Sequence, residues 1–181
     1  MRKLAIVLLT AALLLGLAGV ETVFSDNDDA SHEVTMQVVE IAVMGLNNAN
    51  TITLTIDTAA SGGASAQDDT DSSKLLQYTS LVAGSTHRSI TAKWGGSNAA
   101  PAGTQLNLEA TSVPTDCGTA ASAVTLSSTA KPIITGIGSC ATGDGASGAE
   151  LTYTLSVLDF TQLSAGDNTN VTITFTLTDA A

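Results

Sequence analysis

The chain has 181 residues, with 17 acidic side chains against six basic ones and a formal net charge of −11. A chain this acidic repels phosphate groups and anionic lipid, because it has no basic stripe that could release counterions. Nucleic-acid binding is therefore excluded as a function class. The length is sufficient for one domain with a sizeable core.

The N-terminus has the three parts of a secretory signal peptide. Two positive charges, Arg2 and Lys3, precede an apolar run that ends in small residues. The pattern predicts a signal peptide over residues 1–18, cut before Gly19 or one residue later. A membrane anchor is the alternative, but it needs about 20 apolar residues, and Glu21 stops the run. No Cys lies near the cut, so a lipoprotein is not expected. We therefore expect an exported chain with no membrane segment in its mature form, and an acidic tether over residues 19–32.

The mature chain has two cysteines, Cys117 and Cys140. An even number in an exported chain favours a disulfide. A redox or metal-binding pair is the alternative, but the spacing is far from C-x-x-C and neither histidine is near either Cys in sequence. The sequence predicts a Cys117–Cys140 disulfide.

The rest of the chain alternates between apolar and polar residues, most of the latter Thr. This period of two is typical of half-buried β-strands, and no segment has a helical period. The pattern predicts an all-β, immunoglobulin-like antiparallel sandwich of Greek-key type over residues 33–181, with a single closed sheet as the alternative. The predicted strands are 51–56, 75–82, 88–94, 105–110, 123–127, 131–137, 151–157 and 171–177.

Residues 33–46 have a different pattern. The apolar parity changes after Val38, which predicts a bulge or a crossing between sheets. Apolar residues on both faces predict burial on both faces. At fourteen residues the segment is also long for a strand, whose usual length is about 3–10. The apolar residues of this segment that we single out are Val34, Met36, Val38, Ile41 and Val43.

Few residues could support chemistry, and the sequence predicts no catalytic residue, no cofactor and no metal site. His32 and His87 are predicted to be solvated, and no G-x-S-x-G motif is present. Two acidic clusters, at 26–29 and 68–71, could offer oxygen ligands to Ca²⁺, but neither has the EF-hand spacing. We therefore interpret both clusters as solvated turns.

Two further residues have alternative interpretations. Trp94 could stack on a carbohydrate, but it shares its parity with Ile90 and Ala92, which favours the core. Asn170 begins the sequon Asn170-Val171-Thr172, a candidate glycosylation site. In a Thr-rich strand such a sequon also arises by chance.

The signal peptide, the acidic tether and the strand Val34-Thr35-Met36-Gln37-Val38-Val39-Glu40-Ile41 precede a Thr-rich sandwich. In this outline the chain resembles prokaryotic extracellular fibre subunits, both pilin-like and biofilm-matrix proteins, that assemble by donor-strand complementation. The resemblance covers the architecture of the mature chain and includes no diagnostic motif. It is also similar to chaperone–usher pilins in its last alternating strand, 171–177.

The resemblance implies a structural subunit of a fimbrium, pilus or similar filament, whose partners are identical subunits. Residues 33–46 are the candidate donor strand, and the five apolar residues named above are its candidate plugs. Residues 20–24 are the other candidate donor. The need for an assembly chaperone stays open. The alternative is a monomeric secreted sandwich that binds glycan or calcium, in which 33–46 is the first strand of its own domain. An enzyme is not expected.

Overall fold

The structure is a computed structural model that describes residues 30–95 and 99–179. The predicted signal peptide, most of the acidic tether and the alternative donor at 20–24 lie outside the described residues. The chain divides between Gln37 and Val38 into two units. Of the first unit, residues 30–37 are described, and they are exposed and form no strand.

The second unit is all-β, as predicted, with 46% of the chain in strands and 2% in helix. A 3₁₀ turn at Phe160–Gln162 is the only helical element among the described residues. The strands are β1 (Ile41–Leu46), β2 (Asp69–Leu81), β3 (Arg88–Gly95), β4 (Thr104–Thr111), β5 (Thr119–Ala120), β6 (Val124–Thr125), β7 (Lys131–Ile137), β8 (Cys140–Ala141), β9 (Ala149–Val157) and β10 (Thr172–Asp179).

These strands form two antiparallel sheets, an arrangement consistent with a β-sandwich. One sheet has the order β1-β2-β9-β4-β6, with β8 also paired to β2. The other has the order β10-β3-β7-β5. Across the layers β1 contacts β10, and β4 contacts β5 and β7. The β1–β10 side and the β4–β5 side are therefore the two flanks of the unit.

The core forms where the apolar faces of the alternating strands meet. In β9 the odd-numbered residues Ala149, Leu151 and Tyr153 are buried, and the even-numbered residues between them are half-buried. Each fully buried aliphatic or aromatic side chain stabilises the fold by about 1.5–3 kcal/mol. The other buried apolar residues are Leu76, Tyr78, Ile90, Ala92, Leu106, Leu108, Ala110, Cys117, Leu126, Ile133, Ile134 and Ile137.

Strand β2 begins six residues before the predicted start at residue 75. Its first part, Asp69–Ser73, is polar, which conceals the strand in a hydropathy pattern. This part is interrupted by a register shift between Asp71 and Lys74. Ladder pairing to β9 resumes at Lys74, whose side chain is only 4% exposed.

Two predicted strands differ more fundamentally from the structure. Residues 51–56 keep the alternation in their burial but belong to no ladder among the described residues. Of residues 33–46, only Ile41–Leu46 forms a strand, and the apolar side chains before it are exposed, not buried on two faces as expected. The reason is the same for both segments. An alternating pattern indicates which side chains favour burial, but a strand also needs an adjacent strand to which its backbone can hydrogen-bond.

Candidate functional site

The most unusual surface lies at the N-terminal side of β1. Residues 33–40, which we call the arm, form no strand and are exposed throughout. Val34 is 61% exposed, Met36 89% and Val38 84%. Val39 is exposed as well. Four large apolar side chains within six residues are far more than scattered surface residues, and such patches mark interaction sites.

The last residue of the arm is fixed by Arg88, the first residue of β3. The guanidinium is buried, and its Nη2 lies 3.1 Å from Glu40 Oε2. Its Nη1 donates hydrogen bonds to the carbonyl oxygens of Ile41 and Leu81, and its Nε lies 3.0 Å from Asp179 Oδ1. Arg88 therefore connects the base of the arm to the end of β10. The sequence analysis did not identify this role, and its only signal was an Arg at the start of a strand in a chain with few basic residues.

The two predicted plugs nearest the sandwich, Ile41 and Val43, lie in β1 itself. They pair with Leu81 and Thr79 of β2 in the same chain, and both side chains are exposed. Met44, of the opposite parity, packs on the core. The bulge or sheet crossing predicted from the change of parity after Val38 is not found in β1, whose register with β2 is unbroken from Ile41–Leu81 to Leu46–Leu76.

Strand β10 lies at the edge of the four-stranded sheet. It pairs with β3 in an unbroken register from Thr172–Gly95 to Asp179–Arg88. Among the described residues no strand pairs with its other edge. Its inward side chains Ile173, Phe175 and Leu177 are only half-buried, although they pack against the core.

The segment Thr51–Ile56 follows β1 in the chain. Ile52 and Leu54 are half-buried and pack against the same core as β10. In the described part of the chain its backbone makes no ladder hydrogen bond; one amide, that of Thr55, donates to Asp69 Oδ2 at 2.7 Å. The segment is therefore extended along the protein without belonging to a sheet.

Buried Lys74 positions the turn that leads into this segment. Its ammonium donates to the side-chain oxygen of Asn48 and to the carbonyl oxygen of Asn50. Asn47 adds two hydrogen bonds to Leu75: its backbone N donates to Leu75 O, and its side-chain Oδ1 accepts from Leu75 N, each at 3.0 Å. The start of the Thr51–Ile56 segment is thus held against β2, while no strand in residues 30–95 and 99–179 forms a ladder with the segment.

The predicted disulfide is present. Cys117 and Cys140 are bonded, with Cα atoms 5.4 Å apart. The bond connects the loop before β5 in one sheet to β8 in the other. The hydroxyl of Tyr78 donates to the carbonyl oxygen of Cys117 at 2.6 Å. The disulfide therefore links the two sheets covalently beside the buried Tyr78.

The acidic turn at residues 68–71 uses its carboxylates on the protein's own backbone. Asp68 accepts from Val157 N at 2.8 Å, Asp69 from Thr55 N and Thr70 N, and Asp71 from Ser73 N. No group of three or more metal-ligating side chains occurs within residues 30–95 and 99–179. The other acidic cluster, at 26–29, lies outside those ranges.

The remaining candidates are placed as follows. His32 and His87 are exposed, as predicted. Trp94 is half-buried on the core face of β3 with Ile90 and Ala92, which agrees with a core role, and it pairs with Ile173 of β10. Asn170 is exposed just before β10.

Comparison with protein-family models, with curated proteins and with solved structures finds no match to this chain. No helix in the described ranges is long and apolar enough to cross a membrane.

Proposed function

We propose that this protein is a secreted structural subunit of an extracellular fibre, and that it polymerises by inserting its N-terminal arm as a β-strand into a neighbouring copy. The observation that carries this proposal is the arm itself. Its apolar side chains at 34, 36 and 38 share one face of an extended chain and are 61–89% exposed in the single subunit. Strand addition would bury that face and pair its backbone.

The fold we propose for the subunit is an immunoglobulin-like Greek key. In that fold one sheet has the strand order A-B-E-D and the other contains C, F and G. The order β1-β2-β9-β4 corresponds to A-B-E-D, and β3 paired with β10 corresponds to C paired with F. The disulfide supports an oxidising compartment outside the cytoplasm, in agreement with the predicted signal peptide.

Strand donation between copies leads naturally to a filament. The arm and the surface that accepts it are different parts of the same subunit, so the contact is heterologous. Such a contact repeats head to tail and gives an open polymer unless its geometry closes a ring. The Thr-rich outward faces of the strands, such as Thr172, Thr174 and Thr176 in β10, would stay in contact with solvent.

The test uses the full-length chain, exported and purified, with Val34→Asp, Met36→Asp and Val38→Asp combined. Three carboxylates in the arm would have to be desolvated on insertion, so we expect fibres to disappear in negative-stain microscopy and the protein to elute as a monomer. The matched control combines Leu158→Asp and Phe160→Asp, because Leu158 and Phe160 are 63% and 56% exposed but lie outside the arm. This control should assemble like the parent.

Circular dichroism and an intact disulfide establish that each variant is folded. Fibres from the arm variant at the parental yield would overturn the proposal. So would a parent chain that stays monomeric at all concentrations, which is the behaviour of a self-complete binding module.

A further inference from the structure

We infer that the arm of a second copy adds to the free edge of β10, in the space flanked on its other side by Thr51–Ile56. This inference rests on the proposed function and specifies its acceptor. The occupant is residues 33–40 of another subunit, with Val34, Met36 and Val38 facing the core.

The first observation is the character of the β10 edge. Exposed edge strands are normally protected by Lys, by Pro, by bulges or by being very short. β10 is eight residues long, has none of these residues, and keeps an unbroken register with β3. The other free edges in the described chain are those of the two-residue strands β5, β6 and β8 and of the six-residue β1. β10 therefore offers the longest unprotected row of backbone donors and acceptors.

The second observation is topological. If β3 and β10 take the places of strands C and F, the place beside β10 belongs to strand G. No described strand occupies that place. The half-burial of Ile173, Phe175 and Leu177 is what an edge next to an unfilled place would give. On this interpretation, the part of the core formed by the described residues lacks one row of side chains at this flank.

The third observation is the segment Thr51–Ile56. It continues from β1 along the same edge of β2, since Asn47 N donates to Leu75 O and Thr55 N to Asp69 Oδ2 while the other edge of β2 pairs with β9. Because β1 contacts β10 across the layers, we place the segment on the same flank. Ile52 and Leu54 are directed to the shared core, yet the segment belongs to no ladder in residues 30–95 and 99–179. An inserted strand would have β10 on one side and this segment on the other.

Magnitudes favour a place with two neighbours. Burying three plugs contributes about 5–9 kcal/mol, whereas fixing the backbone of eight residues costs about 8–16 kcal/mol. Backbone hydrogen bonds contribute about 1 kcal/mol each. A strand of eight residues forms about eight of these bonds along one edge and about sixteen between two edges, so a second neighbour adds about 8 kcal/mol in favour of insertion.

The donor comes from a second copy, although the chain's own arm is near. Arg88 binds both Glu40, the base of the arm, and Asp179, the end of β10. Despite this proximity, residues 38–40 form no ladder with β10. Residues 38–40 continue directly into β1 of the other sheet, and no described strand pairs with the free edge of β10.

The test is disulfide trapping in full-length protein, since the native cysteines are already bonded to each other. One population carries Gln37→Cys, because Gln37 would face outward when its even-numbered neighbours face the core. The other carries Thr172→Cys, Thr174→Cys or Thr176→Cys, on the exposed face of β10. Matched controls carry Val43→Cys in β1 or Thr125→Cys in β6, both at exposed positions.

The two populations are co-assembled, oxidised and separated without reductant, and linked peptides are identified by mass spectrometry. We expect covalent heterodimers with one or two members of the β10 series and at most background linking with the controls. Fibres whose arms link to β1 or β6 instead would overturn the acceptor and leave the fibre proposal intact. A chain carrying both Gln37→Cys and Thr174→Cys that closes an internal disulfide as a monomer would overturn the second-copy donor. If the parent forms no fibres, both proposals fail.

Hydrogen exchange provides a readout without substitutions. Amides of Thr51–Ile56 and of the free edge of β10 should exchange quickly in the isolated subunit and at least about tenfold more slowly in the fibre. Unchanged exchange in both segments, in fibres that are otherwise protected, would also overturn the acceptor.

Discussion

β9 and the segment Thr51–Ile56 both alternate polar residues, most of them Thr, with apolar residues, yet they have opposite structural roles. β9 lies between β2 and β4, and Leu151 is fully buried. Thr51–Ile56 has no ladder partner in the described chain, and Leu54 is half-buried. The difference shows that alternation determines a face but not a neighbour. In one case the neighbours belong to the same chain; in the other, on our proposal, a second chain supplies one.

The largest expected difference between the two segments comes from removing one backbone amide. Thr154 of β9 is paired with Thr70 on one side and Asn107 on the other. Thr154→Pro therefore removes a ladder hydrogen bond inside the sheet, and we expect a loss of about 3 kcal/mol or more in the free energy of unfolding. Chemical denaturation of the subunit measures it.

Thr53→Pro is the matched substitution, in a segment that forms no ladder hydrogen bonds with the described strands. It should lower the free energy of unfolding of the isolated subunit by less than about 1 kcal/mol. The residue before it, Ile52, is in an extended segment, which a following proline favours. In the fibre the same variant should weaken assembly, because the inserted strand would lose a partner amide. If Thr154→Pro and Thr53→Pro destabilise the isolated subunit equally, Thr51–Ile56 is already paired in the single chain.

A smaller contrast is expected from side-chain truncation. Leu151 is 0% exposed, so Leu151→Ala leaves a cavity and should cost about 2–5 kcal/mol. Leu54→Ala removes a half-buried side chain and should cost about 1 kcal/mol in the subunit. Thermal and chemical unfolding compare the two directly. A Leu54→Ala loss as large as that of Leu151→Ala would show that the β1–β10 flank is already closed.

Much of this fold could be predicted from the sequence, because alternate residues of β3, β4, β9 and β10 are more buried than the residues between them. The disulfide was predictable from the number of cysteines. The first part of β2 was not, since Asp69–Ser73 is polar and owes its strand to pairing with β9. Nor was the exposure of the arm, because its apolar residues predict burial, and nothing local indicates that no part of residues 30–95 and 99–179 covers them.

The candidate site was predictable only in part for the same reason. Val34, Met36 and Val38 could be identified from their shared parity. The separation of Ile41 and Val43 from them could not, because it depends on the pairing of β1 with β2. The edge of β10 and the contacts of Arg88 involve residues that are distant in sequence, and no local pattern encodes such contacts.

The smallest predicted effect concerns alkaline pH and again separates the closed part of the sandwich from its open flank. Tyr153 of β9 is buried, and burial, followed by the nearby charge of Asp71, raises the pKa of its hydroxyl well above the usual value of 10.0. Burial also raises the pKa of Tyr78 to about 12. In the unfolded chain both ionise near pH 10. A pKa that is higher in the folded state gives stability that is complete below about pH 10 and is lost as the pH rises toward 12.

The denaturation midpoint should therefore be insensitive to pH just below 10 and should decline above it. Tyr153→Phe should make that decline shallower, because one of the two groups no longer ionises in the unfolded state. An unchanged slope would show that Tyr153 is as accessible to water as the residues of the open flank.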